Sequence, residues 1–159
     1  MTKQDEQLTE QLAAVVDAAW PEMSNLSNAA AVLYNGLERI NWAGFYLAKE
    51  GVLWLGPFQG KPACVRIGEG KGVCGTALQQ NRVLRVEDVH QFPGHIACDS
   101  ASRSEIVLPL YRREELIGVL DIDSPETGRF LQEDEEGLLE VIEILRKVLY
   151  CLLYTSRCV

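Results

Sequence analysis

Hydrophobic positions in this chain follow two periods. Near the N-terminus Leu8, Leu12, Val15 and Ala19 step by four, three and four, the face of a helix that Pro21 ends. Leu26, Ala30, Leu33 and Leu37 repeat the pattern in a second helix, which Ser24 or Asn25 is placed to cap. From Asn41 to Leu47 the period drops to two: Ala43, Phe45 and Leu47 point one way, Trp42, Gly44 and Tyr46 the other. Lys49-Glu50-Gly51 makes a turn, and Val52 to Leu55 returns as a hairpin partner. Gly56 to Gly60 reads as a loop, Ala63 to Ile67 as a short strand, and Val73 to Asn81 as a short helix. Val83 to Val86 is a further strand.

A second hairpin is predicted from Glu105 to Tyr111 and from Leu116 to Asp123, across Arg112 to Glu115. Pro109 cannot donate to a ladder and so marks an edge or a bulge. Strict alternation puts Leu116, Gly118, Leu120 and Ile122 toward the core, and Ile117, Val119, Asp121 and Asp123 on the opposite face. Leu138, Ile142, Leu145, Leu149 and Leu152 form a last amphipathic helix. Val141, Ile144 and Val148 widen its apolar stripe, which leaves room for a homodimer contact. Helices, hairpin, loops, hairpin and helix in that order predict an α+β fold with helices packed on an antiparallel sheet.

The length of 159 residues predicts one domain over residues 1–150, with a patternless tail over 151–159. A net charge of −8 argues against nucleic acid and anionic membranes as partners. No apolar run approaches the roughly 20 residues of a membrane span, and the polar N-terminus lacks a signal-peptide core. A cytoplasmic protein is expected. In a reducing compartment its five cysteines point to redox or metal chemistry, or to small buried apolar side chains.

The long segment from Glu87 to Ser104 has no periodicity and carries His90, His95 and Cys98, so it is expected to be functional. The glycine-rich stretch Gly68 to Ala77 lacks the spacing of a phosphate-binding loop. Cys74 would sit near the start of the helix that follows, where the helix dipole favours a thiolate. The cysteines and histidines lack the spacing of a zinc site, and nothing beyond the proximity of His95 to Cys98 suggests acyl transfer. Thiol redox chemistry remains: an exposed Cys98 as nucleophile, with Cys64 or Cys74 as resolving thiol. Glu105, Asp121 and Asp123 would form a carboxylate cluster that donates a proton to a departing oxygen or receives an ammonium group. Trp42 and Tyr46 have two readings, ordinary sheet packing or an aromatic wall with Gly44 leaving room between the rings.

At these residues the chain resembles the free methionine-(R)-sulfoxide reductases, a family built on the GAF fold. The likeness runs through Asn41 to Tyr46, Gly56 to Gly60, Pro62-Ala63-Cys64, Gly72 to Gly75, Phe92 to Cys98, Ser104 to Val107 and Gly118 to Ser124. It implies that Cys98 is the nucleophile, Cys64 the main resolving thiol and Cys74 an accessory. It implies that Glu105, Asp121 and Asp123 grip the substrate amine and sulfoxide oxygen, and that Trp42 and Tyr46 enclose the methyl-sulfur end. Free methionine-(R)-sulfoxide would be the substrate and thioredoxin the reductant, with no metal or organic cofactor. The alternative is a non-catalytic GAF module that senses a small molecule or redox state.

Overall fold

A computed structural model describes residues 2–95 and 100–149. α1 (Lys3–Ala14) starts at Thr2, whose hydroxyl accepts from the Asp5 N–H while the Asp5 carboxylate accepts from the Thr2 N–H. It ends earlier than predicted. Leu8 and Leu12 are buried, but the next core residue is Val16 rather than Val15, and Ala19 is exposed. Asn25 is the cause. Its side chain accepts from the Asp17 N–H at 3.0 Å and donates to the Asp17 carbonyl at 2.8 Å, while Asn28 donates to the Val15 carbonyl at 2.9 Å. These amides offer the backbone partners outside a helix. Asn25 is thus a buried clamp and not a cap; α2 (Glu22–Gly36) begins directly after Pro21.

Six strands follow: β1 (Trp42–Lys49), β2 (Val52–Gly60), β3 (Arg66–Ile67), β4 (Leu84–Val86), β5 (Ser104–Arg112) and β6 (Glu115–Ser124). They form one antiparallel sheet in the order β3-β2-β1-β6-β5-β4. β2 continues through the segment predicted as a loop. Gly44 faces Phe58 and Tyr46 faces Leu55, so Gly56 and Pro57 together oppose Phe45 in a bulge. A bulge tolerates proline because the extra residue leaves the ladder. β3 keeps only the last two residues of its predicted span.

A second bulge lies where Leu110 pairs with Gly118 and Tyr111 with Leu116. Ile117 is the inserted residue. It therefore packs among the helices, and Leu116 packs on the opposite side, the reverse of strict alternation. β4 pairs with β5 only as far as Val107, so Pro109 stands on a free edge of β5 on that side, as predicted.

α1, α2 and α4 (Gln132–Val148) cover one face of the sheet. Ala43, Phe45, Ile106, Leu108, Leu120 and Ile122 are buried beneath them at 0% exposure. Ile144 and Val148 pack on this same core, so the wide stripe of α4 is used within the chain. The predicted contribution of Leu152 falls outside the described residues. α3 (Gly72–Gln80) covers the opposite face, over Trp42, Tyr46, Val107 and Val119. Among the described residues no helix is long and apolar enough to cross a membrane.

Candidate active site

The central strands set side chains on the α3 face in rungs. Trp42, Asp123 and Glu105 share the first, and Gly44, Asp121 and Val107 the second. Tyr46, Val119 and Pro109 share the third. Directly opposed residues have Cβ atoms about 4.5–5.5 Å apart, and diagonal ones remain within reach of each other. Glu105 is therefore beside Asp123 and diagonal to Asp121. Like charges facing each other in this way destabilise a sheet. Gly44 stands opposite Asp121, and Phe58 and the Trp42 ring take up the space that a side chain there would need.

α3 brings Cys74 onto this cluster. The turn before it is tight: the Lys71 N–H donates to the Gly68 carbonyl at 3.1 Å, and the Gly70 N–H to the Gly75 carbonyl at 3.0 Å. A Cβ on Gly75 would lie 2.6 Å from the Gly68 oxygen, so the glycines here serve close packing. The Cys74 thiol donates to Glu105 Oε1 at 3.7 Å. The thiolate expected from the helix dipole is not favoured. Burial, together with the charges of Asp121 and Glu105, pushes the Cys74 thiol well above its ordinary range. Desolvation and two adjacent carboxylates outweigh a dipole worth about 1 kcal/mol or less.

Burial also raises Glu105 strongly, and Asp121 and Asp123 raise it further. Asp121 is raised by burial, while hydrogen bonds from Glu105 and Cys74 pull it back. Of the two coupled acids, Glu105 is pushed up the more strongly, which makes it the favoured carrier of a proton. Asp121 Oδ1 is buried and has no hydrogen-bond partner among the described residues. Asp123 is half-buried.

Trp42 and Tyr46 are both part of a wall and part of the sheet packing. Their rings stack with centroids 5.9 Å apart, and Phe58 stacks on Trp42 at 5.3 Å. A Cβ on Gly44 would lie 2.3 Å from that of Phe58, so glycine is what lets the rings close up. The polar edges of the wall point to one backbone segment. Trp42 Nε1 donates to the Lys61 carbonyl at 3.1 Å, and the Tyr46 hydroxyl donates to the Cys64 carbonyl at 2.8 Å. Burial and the nearby acids raise the Tyr46 phenol, which keeps it a donor. Cys64 is disulfide-bonded, whereas Cys74 is a free thiol, so the bridge does not join these two. Cys98 lies outside the described residues.

A cavity of about 50 Å³ opens between these groups. Trp42, Tyr46, Cys74, Glu105, Asp121 and Asp123 all line it, as do Lys71, His95 and Ser102. Phe58 falls in the segment predicted as a loop, and strict alternation from Leu55 would place it on the opposite face; the bulge at Gly56 and Pro57 turns it toward Trp42. The sequence places His95 in the expected functional segment with His90 and Cys98 and assigns it no role in binding. Its imidazole is kept below the usual range by burial and by His90, whose ring lies 6.0 Å away. Lys71 and Ser102 carry no sequence signal of their own.

Comparison with known proteins agrees with this architecture. The GAF domain model matches residues 3–144. The chain is 61% identical over 127 residues to the free methionine-R-sulfoxide reductase of Escherichia coli, spanning 80% of this chain and 77% of that one. It superposes on the reduced form of the fRMsr of Staphylococcus aureus with a TM-score of 0.88 at 50% identity, over 91% of this chain and 94% of that one. The free methionine-R-sulfoxide reductase of Neisseria meningitidis in complex with its substrate gives a TM-score of 0.87 at 42% identity, covering 94% and 91%. Sequence likeness of this extent, on a shared fold and over nearly the whole described chain, makes the protein a member of the GAF-type free methionine-(R)-sulfoxide reductase family.

Proposed function

We propose that the protein reduces free L-methionine-(R)-sulfoxide to L-methionine. The observation that carries this reading is the convergence of three acidic side chains and an aromatic wall on one small cavity. Asp121 Oδ1 offers an unused buried acceptor to a substrate ammonium, which a peptide-bound residue lacks. Trp42 and Tyr46 supply the ring contacts that a methyl-sulfur group favours. Relatives that act on this substrate support the same assignment.

In the proposed reaction the Cys98 thiolate attacks the sulfoxide sulfur. Glu105, kept protonated by burial and its acidic neighbours, protonates the departing oxygen. The hydroxyl then passes to the Cys98 sulfur while the S–O bond and the S–S bond formed in the attack both break, leaving methionine and a Cys98 sulfenic acid. Cys64 then attacks that sulfur, water departs, and a Cys64–Cys98 disulfide forms. Two thiols of thioredoxin reduce it and are themselves oxidised. Cys74 is an accessory thiol, and no metal or organic cofactor is needed. The disulfide at Cys64 beside a free Cys74 supports this division of labour.

An NADPH-coupled thioredoxin assay tests the reading. Turnover is expected with the free R epimer, and not with the S epimer or the N-acetyl derivative. Cys98→Ser should abolish it. Full turnover by that variant, or equal rates on the N-acetylated substrate, would overturn the assignment.

A further inference from the structure

We propose that Cys74, Glu105 and Asp121 form a binding site for a thiophilic divalent cation of the zinc and cadmium class, which occupies the pocket in competition with the substrate. One ligand atom from each residue lies within 4.8 Å of the other two, and all three residues are buried. The sulfur-to-oxygen separation, Cys74 to Glu105, is 3.7 Å. Zinc bonds of about 2.3 Å to sulfur and about 2.0 Å to oxygen at a tetrahedral angle span about 3.5 Å, so this edge needs almost no adjustment.

A second observation, an unmet hydrogen-bonding need, points to a ligand at the same place. Asp121, 6% exposed, lines the cavity, and its buried Oδ1 has no hydrogen-bond partner among the described residues. An orphaned buried acceptor is costly unless something fills its valence. The cavity leaves the fourth position of the ion open to water.

The donor set selects the ion. A thiolate with two carboxylates suits zinc or cadmium, whereas magnesium prefers oxygen alone. On binding, the Cys74 S–H bond breaks and a metal–sulfur bond forms. The thiol proton, with the protons carried by the coordinating carboxyl groups, passes to the buffer. No electron transfer is involved. Only the competition rests on the substrate reading above; the metal site itself does not.

Cadmium is the probe, because its bond to a thiolate gives an ultraviolet charge-transfer band. The protein is titrated with Cd²⁺ with the Cys64 disulfide intact. One equivalent should produce the band, and excess Mg²⁺ should not remove it. Cys74→Ser should abolish the band, and Asp121→Asn should weaken binding at least tenfold. Adding free methionine-(R)-sulfoxide should raise the apparent Kd for Cd²⁺. A missing band, or one that survives Cys74→Ser, would overturn the site. A Cys74-dependent band that the sulfoxide leaves unmoved would keep the metal site and overturn the competition.

Discussion

The two faces of the sheet use the same strands for opposite ends. Along β6, Leu120 and Ile122 point into a continuous apolar layer under α1, α2 and α4. Their neighbours Asp121 and Asp123 point toward α3, where aromatic rings and acids surround a cavity. The core under α1, α2 and α4 is apolar, and the buried polar side chains Asn25, Ser104 and Ser124 each have hydrogen-bond partners. The α3 face carries a carboxylate oxygen without a partner among the described residues, directly opposed carboxyl groups and a thiol held protonated by burial. Local rules broken on one face and kept on the other mark where selection acted on chemistry.

The sharpest way to separate the faces is to remove one acid. Glu105→Gln should lower turnover by roughly 10²–10⁴-fold, as expected for loss of a general acid, while raising stability by about 0.5–2 kcal/mol. The sign follows from the proton. Glu105 binds it more tightly folded than unfolded, so the acid imposes no cost below its ordinary value of 4.5 and a growing one as pH rises above it. Denaturant unfolding from pH 4 to 8 should therefore show wild type losing stability relative to the variant as pH increases. A variant less stable than wild type at neutral pH would erase the contrast between faces.

On the other face Leu120→Ala should cost about 2–5 kcal/mol, with little change in the Michaelis constant of the protein that remains folded. Unfolding curves and steady-state rates measure the two quantities separately. The smallest effect is expected at the boundary. Tyr46→Phe removes the hydrogen bond to the Cys64 carbonyl, worth about 1 kcal/mol. It should slow closure of the disulfide more than the first, sulfoxide-consuming burst, which rapid-quench thiol counting would resolve.

Much of this contrast was legible in the sequence. A period of two in β1 and β6 is dictated by strand geometry, so the placement of Trp42, Tyr46, Asp121 and Asp123 on one face followed directly. What escaped were places where one residue changes the count. Neither the bulge at Gly56 and Pro57 nor that at Ile117 leaves a pattern that periodicity alone reveals, and each inverts or extends what lies beyond it. Asn25 escaped because its role depends on a segment it meets only after folding. Cys74 was placed correctly at a helix start, yet its ionisation is decided by carboxylates on distant strands.

The rungs that seat Glu105 beside Asp123 and Gly44 beside Asp121 bear on how the protein can fail. Sliding β6 by one residue would drive both aspartates into the oily layer under the helices, which no stable molecule could tolerate. Misalignment and loss of the native state are then a single event. A population of this protein should contain competent molecules and unfolded ones, with no well-folded but scrambled class between them.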